Sequence, residues 1–461
     1  MIEETENKDI RDLSKFDSEI FENISTLIEN HADKNLLSIL SDLHSADLGE
    51  IINHLDFDDA VYTFKLLDHE TAGEVLTELD ENLREKILAE IETDHIVNIV
   101  DQLDSDDATD IVSDLPEQIQ EHVLGKIDKE YSEDVKQLLK YPEDSAGGIM
   151  NSDFIFVYES QTVKDAIEEV RKNAEEIDNI YYIYVLKEDH KLVGTVSLKS
   201  LLTNPLDKPL SGVMEEDLIY VTPDVDQEEV AKIIEKYDLV AIPVVDENMI
   251  MLGRITIDDV VDVINEEASE DLQRIAGLSE EEEYSDSSFR ISRIRLPWLV
   301  VALIGQMLSA VVLASFEASL EKMIIATFFI PIVMAMGGST GTQAAIVMVK
   351  SLTESEFWIS DSFSRLFKEF RVALINATVC GAILLLVSHF FFENEIRFSF
   401  VLTVALFVIM TNATMVGAII PIGFKKFGVD PAIATGPFVT TMNDILGLII
   451  YLTLVSLFLV Q

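Results

Sequence analysis

Gly428-Val429-Asp430-Pro431-Ala432-Ile433-Ala434-Thr435-Gly436-Pro437-Phe438-Val439-Thr440-Thr441-Met442-Asn443-Asp444-Ile445-Leu446-Gly447 is the stretch on which the reading of the whole chain turns. It runs on into an apolar tail, and between 431 and 460 Asp444 is the sole Asp, Glu, Lys, Arg or His. That distance exceeds the ~20 residues that cross a bilayer core as a helix. An Asp facing lipid costs about 2.5–3.5 kcal/mol even on the gentlest insertion scale, so Asp444 is expected to face a polar path. Thr440, Thr441 and Asn443 are its polar neighbours. The reading is an ion-pathway residue; the alternative is a neutral Asp hydrogen-bonded inside a helix bundle.

Four further apolar segments precede this one, at 297–316, 323–349, 372–392 and 398–424, each long enough to span. The second contains Met336-Gly337-Gly338-Ser339-Thr340-Gly341-Thr342-Gln343, too many glycines and hydroxyls for a passive lipid-facing helix. Small residues let backbones approach closely, and polar or bent backbone lines water. In the fifth segment Pro431 and Pro437 remove backbone donors and free carbonyls that need partners. Thr411, Asn412 and Thr414 of the fourth read as interhelical hydrogen bonds.

Charge divides the chain sharply. The sequence has 84 acids and 33 bases, a formal charge of −51, yet residues 291–461 hold ten of each. The whole −51 therefore lies in residues 1–290. Such a region repels itself and is relieved by bound cations; it also argues against nucleic acid as partner, since phosphate binding wants a basic face. The single cysteine, Cys380, allows no internal disulfide, and Met1-Ile2-Glu3-Glu4-Thr5-Glu6 lacks the basic and apolar pattern of a signal peptide. A cytoplasmic acidic part is expected. Nine bases then fall on the same side (Arg290, Arg293, Arg295, Lys350, Arg365, Lys368, Arg371, Lys425, Lys426), against Lys322 and Arg397 on the other. That asymmetry puts the C-terminus outside.

From Leu43 an apolar residue recurs every twelve positions, at Leu43, Leu55, Leu67, Leu79, Ile91, Leu103, Leu115 and Ile127. An acid follows it at Asp56, Asp68, Asp80, Glu92, Asp104 and Asp128. An acid there can accept from the free N–H groups of a following helix, so the pattern predicts short stacked helices, each capped by its acid. Asp104, Asp106, Asp107, Asp110 and Asp114 form the densest carboxylate group, of the kind hard cations take.

From about Ser145 the pattern becomes two similar units of strand, helix, strand, Gly-containing strand and helix. The first carries Gly148-Ile149-Met150, a strand over 154–157, a helix near Thr162 and strands over 181–185 and 192–198. The second carries Gly212-Val213-Met214, a strand over 218–221, a helix near Asp226 and strands over 241–245 and 251–257. This is similar to a tandem pair of CBS domains, whose cleft in some members holds an adenosine nucleotide; Tyr182 lies where an adenine could stack. Residues 258–277 then read as an acidic amphipathic helix linking this pair to the first span.

Taken in order, these parts resemble the MgtE family of magnesium channels over essentially the full length. The motifs that carry the resemblance are Gly337-Gly338-Ser339-Thr340-Gly341-Thr342-Gln343 and Asp430-Pro431 through Asn443-Asp444. The expected organisation is an all-α acidic superhelical N domain (1–138), a tandem α/β CBS pair (139–257), a connecting "plug" helix and linker (258–290) and a five-helix transmembrane domain (291–461). The resemblance implies a homodimer embedded in membrane lipid. Its pore is built from second and fifth spans, with Asp444 holding hydrated Mg2+ and with Asn443, Thr440, Gly436, Ser339 and Gln343 lining the path. It also implies that cytosolic Mg2+ bridges the soluble parts and closes the pore. The candidate regulatory ligands are Asp106, Asp107 and Asp110 of the repeat, Asp226, Glu228 and Asp238 of the CBS pair, and Asp259, Asp262, Glu267, Glu270 and Asp271 of the connecting helix. Mg2+ is thus substrate and regulator, with ATP at the CBS pair as a second expected ligand.

Two departures touch the path. The family more often has Asn where this chain has Ser339, and some members place a polar Asn where Gly436 stands. Two other functions compete with Mg2+ passage. One is transport of another divalent ion, such as Co2+ or Mn2+. The other is a membrane-embedded metal enzyme, which lacks a His, Cys or second carboxylate near Asp444; His389 falls near a span end.

Overall fold

The computed structural model describes residues 18–174, 177, 179–278, 287–353, 359–392, 395–434 and 436–459. Met1 to Glu6, Thr435 and the expected end of the last span at Val460 fall outside these. Contacts divide the chain into two units, one ending at Glu267 and the other resuming at Ala268.

In the first unit the twelve-residue period is realised as helix starts at Ser45, Phe57, His69, Glu81, Thr93, Ser105, Glu117 and Lys129. The residue after each periodic apolar position is the N-cap. Its chemistry is less uniform than expected. Asp68 accepts from Thr71 N (3.2 Å) and Asp128 from Glu130 N (2.8 Å), whereas Asp56, Asp80, Glu92 and Asp104 stand at the N-cap without a side-chain cap bond. The deepest core lies in another register of the same period. Ile51, Thr63, Val75, Ile87, Ile99, Ile111, Val123 and Val135 are all no more than 1 % exposed. Leu43, Leu55 and Leu103 instead close their helices with tight i→i−3 turns and are partly buried.

The CBS-like pair follows, with strands β1 (Phe156–Tyr158), β2 (Tyr182–Leu186), β3 (Leu192–Ser197), β4 (Ala241–Val245) and β5 (Met251–Thr256). β1 runs parallel to β2, and β2 antiparallel to β3. In the second half β4 and β5 form an antiparallel pair, and the expected strand at 218–221 shrinks to one parallel bridge, Val221 to Val244. Pro223, two residues on, cannot donate to a ladder, and its carbonyl accepts from Gly147 N instead (2.9 Å). The array docks on this pair through Ser105, whose Oγ lies 3.2 Å from Asn151 Oδ1 and accepts from Ser152 N at 2.8 Å.

The connecting helix spans Ile257–Ala276 and ends at Gly277, whose φ of +84° is the left-handed conformation that closes helices and favours glycine. Its last turns belong to the second unit. There, among the described residues, five helices are long and apolar enough to cross a membrane: Ser288–Ser315, Ile324–Leu352, Phe363–Phe390, Ile396–Lys426 and Pro431–Leu459. The second and fifth each open with a 3-10 turn, Ile324–Phe329 and Pro431–Ala434. The fourth is the buried centre, with Leu402, Ala405, Leu406, Ile409 and Met410 packed against its neighbours. Gly417 on it meets the backbone of Gly341 on the second span so closely that no Cβ fits. At one end Lys425 Nζ reaches Leu352 O. At the other Arg397 donates to Phe458 O (2.6 Å) and Ser319 meets Ser456 (3.0 Å). The helices therefore alternate in direction.

Candidate functional site

The fifth span positions Asp444 through what its neighbours cannot avoid. Asn443 is 2 % exposed and packs on Gly341, where a Cβ would collide with its amide; neither Nδ2 nor Oδ1 has a hydrogen-bond partner. Asn443 is thus enclosed within the protomer's bundle, away from any open face. The next residue on a helix points about 100° away, and Asp444 is half-buried there, its Oδ2 accepting from Gln306 Nε2 of the first span at 2.5 Å. Gly305 makes this approach feasible: an added Cβ would collide with Thr441. Sequence reasoning passed over Gln306. Its signal was a lone amide in an otherwise apolar span, which has no period to betray it.

The other path candidates separate. Ser339 and Gln343, one turn apart, share an exposed stripe of the second span. Thr440 is half-buried, with Oγ1 donating to Gly436 O at 3.3 Å. At Gly436 an added Cβ would stand 3.1 Å from Ile275 O and 3.3 Å from Gly277 Cα. The absent side chain there makes room for the end of the connecting helix. Arg274 fastens the same place, pairing with Glu270 on its own helix and with Asp430 at the mouth of the fifth span. Asp430 also accepts from Ala432 N at 2.7 Å. Asp271 lies one residue beyond Glu270 on that helix.

In the first unit the helix Ser105–Ser113 brings together acids from three parts of the chain. Burial and the charges of Asp107, Asp259 and Asp104 hold the Asp106 carboxyl well above the usual range. Asn151 Nδ2 donates to it at 3.2 Å. Asp107 is pushed up to about 7, first by burial, then by Asp104, Asp110 and Asp259. Asp259 is raised to about 6 by burial, held back by the N–H and hydroxyl of Thr256 at 3.1 and 2.8 Å. Asp110 keeps more of its surface in solvent; burial raises it, Arg84 opposes, and Glu143, Asp114 and Glu266 add. Burial also lifts Asp262, with Asp258 adding, and lifts Glu78, with Asp262 adding. Asp104, already part of the dense acidic run, joins this cluster, whereas Asp153 and Glu78 are members that the sequence did not single out as ligands, because their partners come from distant stretches.

Other candidates have local tasks. Asp226 caps the helix Gln227–Tyr237 through Glu228 N (2.9 Å), Glu228 pairs with Lys232 (2.6 Å), and Asp238 ends that helix at φ +53°. Asp246, a further acid of the CBS pair outside that candidate set, holds a turn through Asn248 N and Ile250 N, both 2.8 Å. Glu267 accepts from Gln227 Nε2 at 2.8 Å. Tyr182 lines a cavity of about 100 Å³ with Tyr184, Thr195, Glu215 and Asp217 among others. Among the described residues that line it, the charged ones are Glu215 and Asp217.

The raised carboxyls have a measurable consequence. Unfolded, these acids release protons near about pH 4; folded, Asp107 and Asp259 hold them to about 7 and about 6. The folded state therefore binds more protons in between, and its stability falls as pH rises through that window. Without divalent cations, the melting temperature of the soluble transition is expected to drop between about pH 5 and pH 8, and Mg2+ to flatten the drop by replacing the protons. A melting temperature that stays level or rises over that range contradicts the cluster's electrostatics.

Known proteins share this architecture. Residues 330–454 match the family model described as "Divalent cation transporter", residues 43–144 that of the "MgtE intracellular N domain", and residues 146–207 and 210–266 that of the CBS domain. The chain is 36 % identical over 327 residues to the magnesium transporter MgtE of Bacillus subtilis, covering 71 % of this chain and 72 % of that one. The chain belongs to the MgtE family. The MgtE of Thermus thermophilus is 33 % identical over 337 residues, 72 % of this chain and 74 % of its own. A crystal structure of the cytosolic domain of the Mg2+ channel MgtE in complex with ATP superposes with a TM-score of 0.50 at 30 % identity, over 53 % of this chain and 99 % of that one. Family membership spans the array, the CBS pair and the helices that carry Ser339, Gln343, Asn443 and Asp444.

Proposed function

We propose that this protein carries Mg2+ into the cytoplasm down its electrochemical gradient, with Asp444 holding the hydrated ion, and that cytosolic Mg2+ closes the path. The observation that carries the reading is Asp444 itself: a carboxylate alone in the apolar fifth span of an MgtE-family chain, with one oxygen held by Gln306. Mg2+ sheds water reluctantly and is held by few carboxylates, the rest of its shell remaining water. A second copy of the chain would place two Asp444 side chains across an axis, which suits a hydrated ion. The membrane potential supplies about 2.3 kcal/mol per unit charge per 100 mV, so no ATP hydrolysis is needed. The basic ends of the spans on the Asp430 side support an inner plasma membrane orientation with the soluble unit cytoplasmic.

Closure rests on the acidic cluster. Asp106, Asp107 and Asp259 repel one another, and a cation among them exchanges that repulsion for a bridge between the array and the start of the connecting helix. The far end of that helix is fastened by Arg274 to Asp430 and packed on Gly436. Restraint at one end is thereby coupled to the fifth span at the other.

Flux into liposomes containing the purified protein and a Mg2+ indicator tests the reading. Potential-driven Mg2+ entry, outpacing Co2+ and Mn2+ in competition, is the expected result. Preferred entry of either of those ions would replace Mg2+ as the cargo, as the family description "Divalent cation transporter" allows.

A further inference from the structure

We infer that Gln306 sets the ion preference of the path by occupying one oxygen of Asp444; the inference rests on the reading of Asp444 as the ion-holding residue. Gln306 Nε2 donates to Asp444 Oδ2 at 2.5 Å. Oδ1 keeps both lone pairs for an ion or its water, while Oδ2 has one already engaged. A carboxylate with both oxygens free chelates Ca2+ bidentately at flexible geometry, whereas Mg2+ keeps an octahedral water shell that needs single acceptors. The amide therefore penalises ions that bind by stripping their water and leaves the acceptor that a hydrated Mg2+ requires.

The placement is built by the backbone on both sides. Gly305, adjacent to Gln306, leaves space for Thr441, three residues before Asp444, so first and fifth spans touch at this level. Ser309, one turn on, is buried on the same face and donates to Gly305 O at 3.5 Å. On the far flank Asn443 is locked against Gly341. Rotation of the fifth span is thus restrained from two sides, and Asp444 is delivered to Gln306 in one orientation. Gln306 itself is exposed on the protomer, so its amide is available without displacing packed side chains.

The full-length protein in liposomes provides the test, with Mg2+ influx measured against added Ca2+. In Gln306→Leu and in Gln306→Met, which keeps the side chain's length without a donor, the Ca2+ concentration that halves influx should fall about tenfold, the factor a charge-assisted hydrogen bond carries. Saturating Mg2+ influx should change far less. Gln306→Asn, one methylene shorter, should fall between. A merely structural role would lower influx without moving the Ca2+ midpoint. Unchanged Ca2+ block in both Leu and Met variants overturns the inference. If both aggregate, Gln306→Glu decides: a second carboxylate beside Asp444 should raise Ca2+ block, and an unchanged midpoint again overturns it. An Asp444→Asn arm separates the two levels. Normal influx there defeats the reading of Asp444, whereas a dead Asp444→Asn with unmoved Ca2+ block in the Gln306 variants defeats only the role of Gln306.

Discussion

Asp444→Ala should cut Mg2+ influx by about a hundredfold, while the protein still assembles and melts near the parent temperature. The size follows from removing a charge-assisted contact worth up to about 3 kcal/mol from the one place where the fifth span offers negative charge. Asp444→Asn keeps the shape and the contact to Gln306 but not the charge, so it should sit close to Ala and well below the parent. Stability should hold because Asp444 is only half-buried and its hydrogen bond goes to an exposed Gln306. Core residues of the fifth span lie elsewhere, at Leu448, Tyr451, Leu452 and Val455, with Tyr451 Oη bonded to Ala326 O at 2.7 Å. Normal uptake by the Ala variant, measured in liposomes beside a size-exclusion profile, would show that the ion does not pass this carboxylate.

The second large effect is loss of closure. Asp259→Ala with Asp271→Ala should conduct at Mg2+ levels that silence the parent, and Asp106→Asn with Asp107→Asn should do the same. Neutralising an acid has two opposed consequences: it relieves repulsion, and it removes a ligand. Ligand loss wins because a ligand shifts an equilibrium only through its differential affinity, and each lost carboxylate lowers the affinity that the closed arrangement offers Mg2+. Weak carboxylate sites act near ~1 mM, and each pair of substitutions should move the half-closing concentration up about tenfold. Protease protection of the full-length protein gives an independent readout, rising with Mg2+ in the parent and flat in the variants. Protection indifferent to Mg2+ in the parent would reduce these acids to a solvated surface.

Much of this architecture was legible because periodic patterns carry it. The twelve-residue spacing of Leu43 to Ile127 marks the caps of eight helices, since an N-cap has a fixed place relative to the turn before it. It did not reveal which residues form the core. Positions 51, 63, 75 and onward are buried because each helix turns its middle inward, and one of them, Thr63, is polar and invisible to an apolar count. Acids were the least legible. Asp226, Glu228 and Asp238 look like ligands in sequence, yet helix caps and neighbouring lysines need the same residue type. Asp153 and Glu78 look unremarkable and join the cluster through long-range packing. Gln306 and Arg274 were missed for the same reason: each acts on a partner more than 130 residues away in the chain.

Because every helix of the array starts twelve residues after the last, the array works as a ruler read from one end. The graduation that bears Asp106 and Asp107 is the sixth, and two more units, starting at Glu117 and Lys129, separate it from the CBS pair. Gain or loss of a whole unit before Ser105 would change the length on the side of Ser45 and leave Asp106 and Asp107 opposite Asp259. The same change after Ser113 would preserve the stacking phase and the fold of each helix, yet carry Asp106 and Asp107 a full graduation off their mark. Length is therefore negotiable on one side of this helix and fixed on the other.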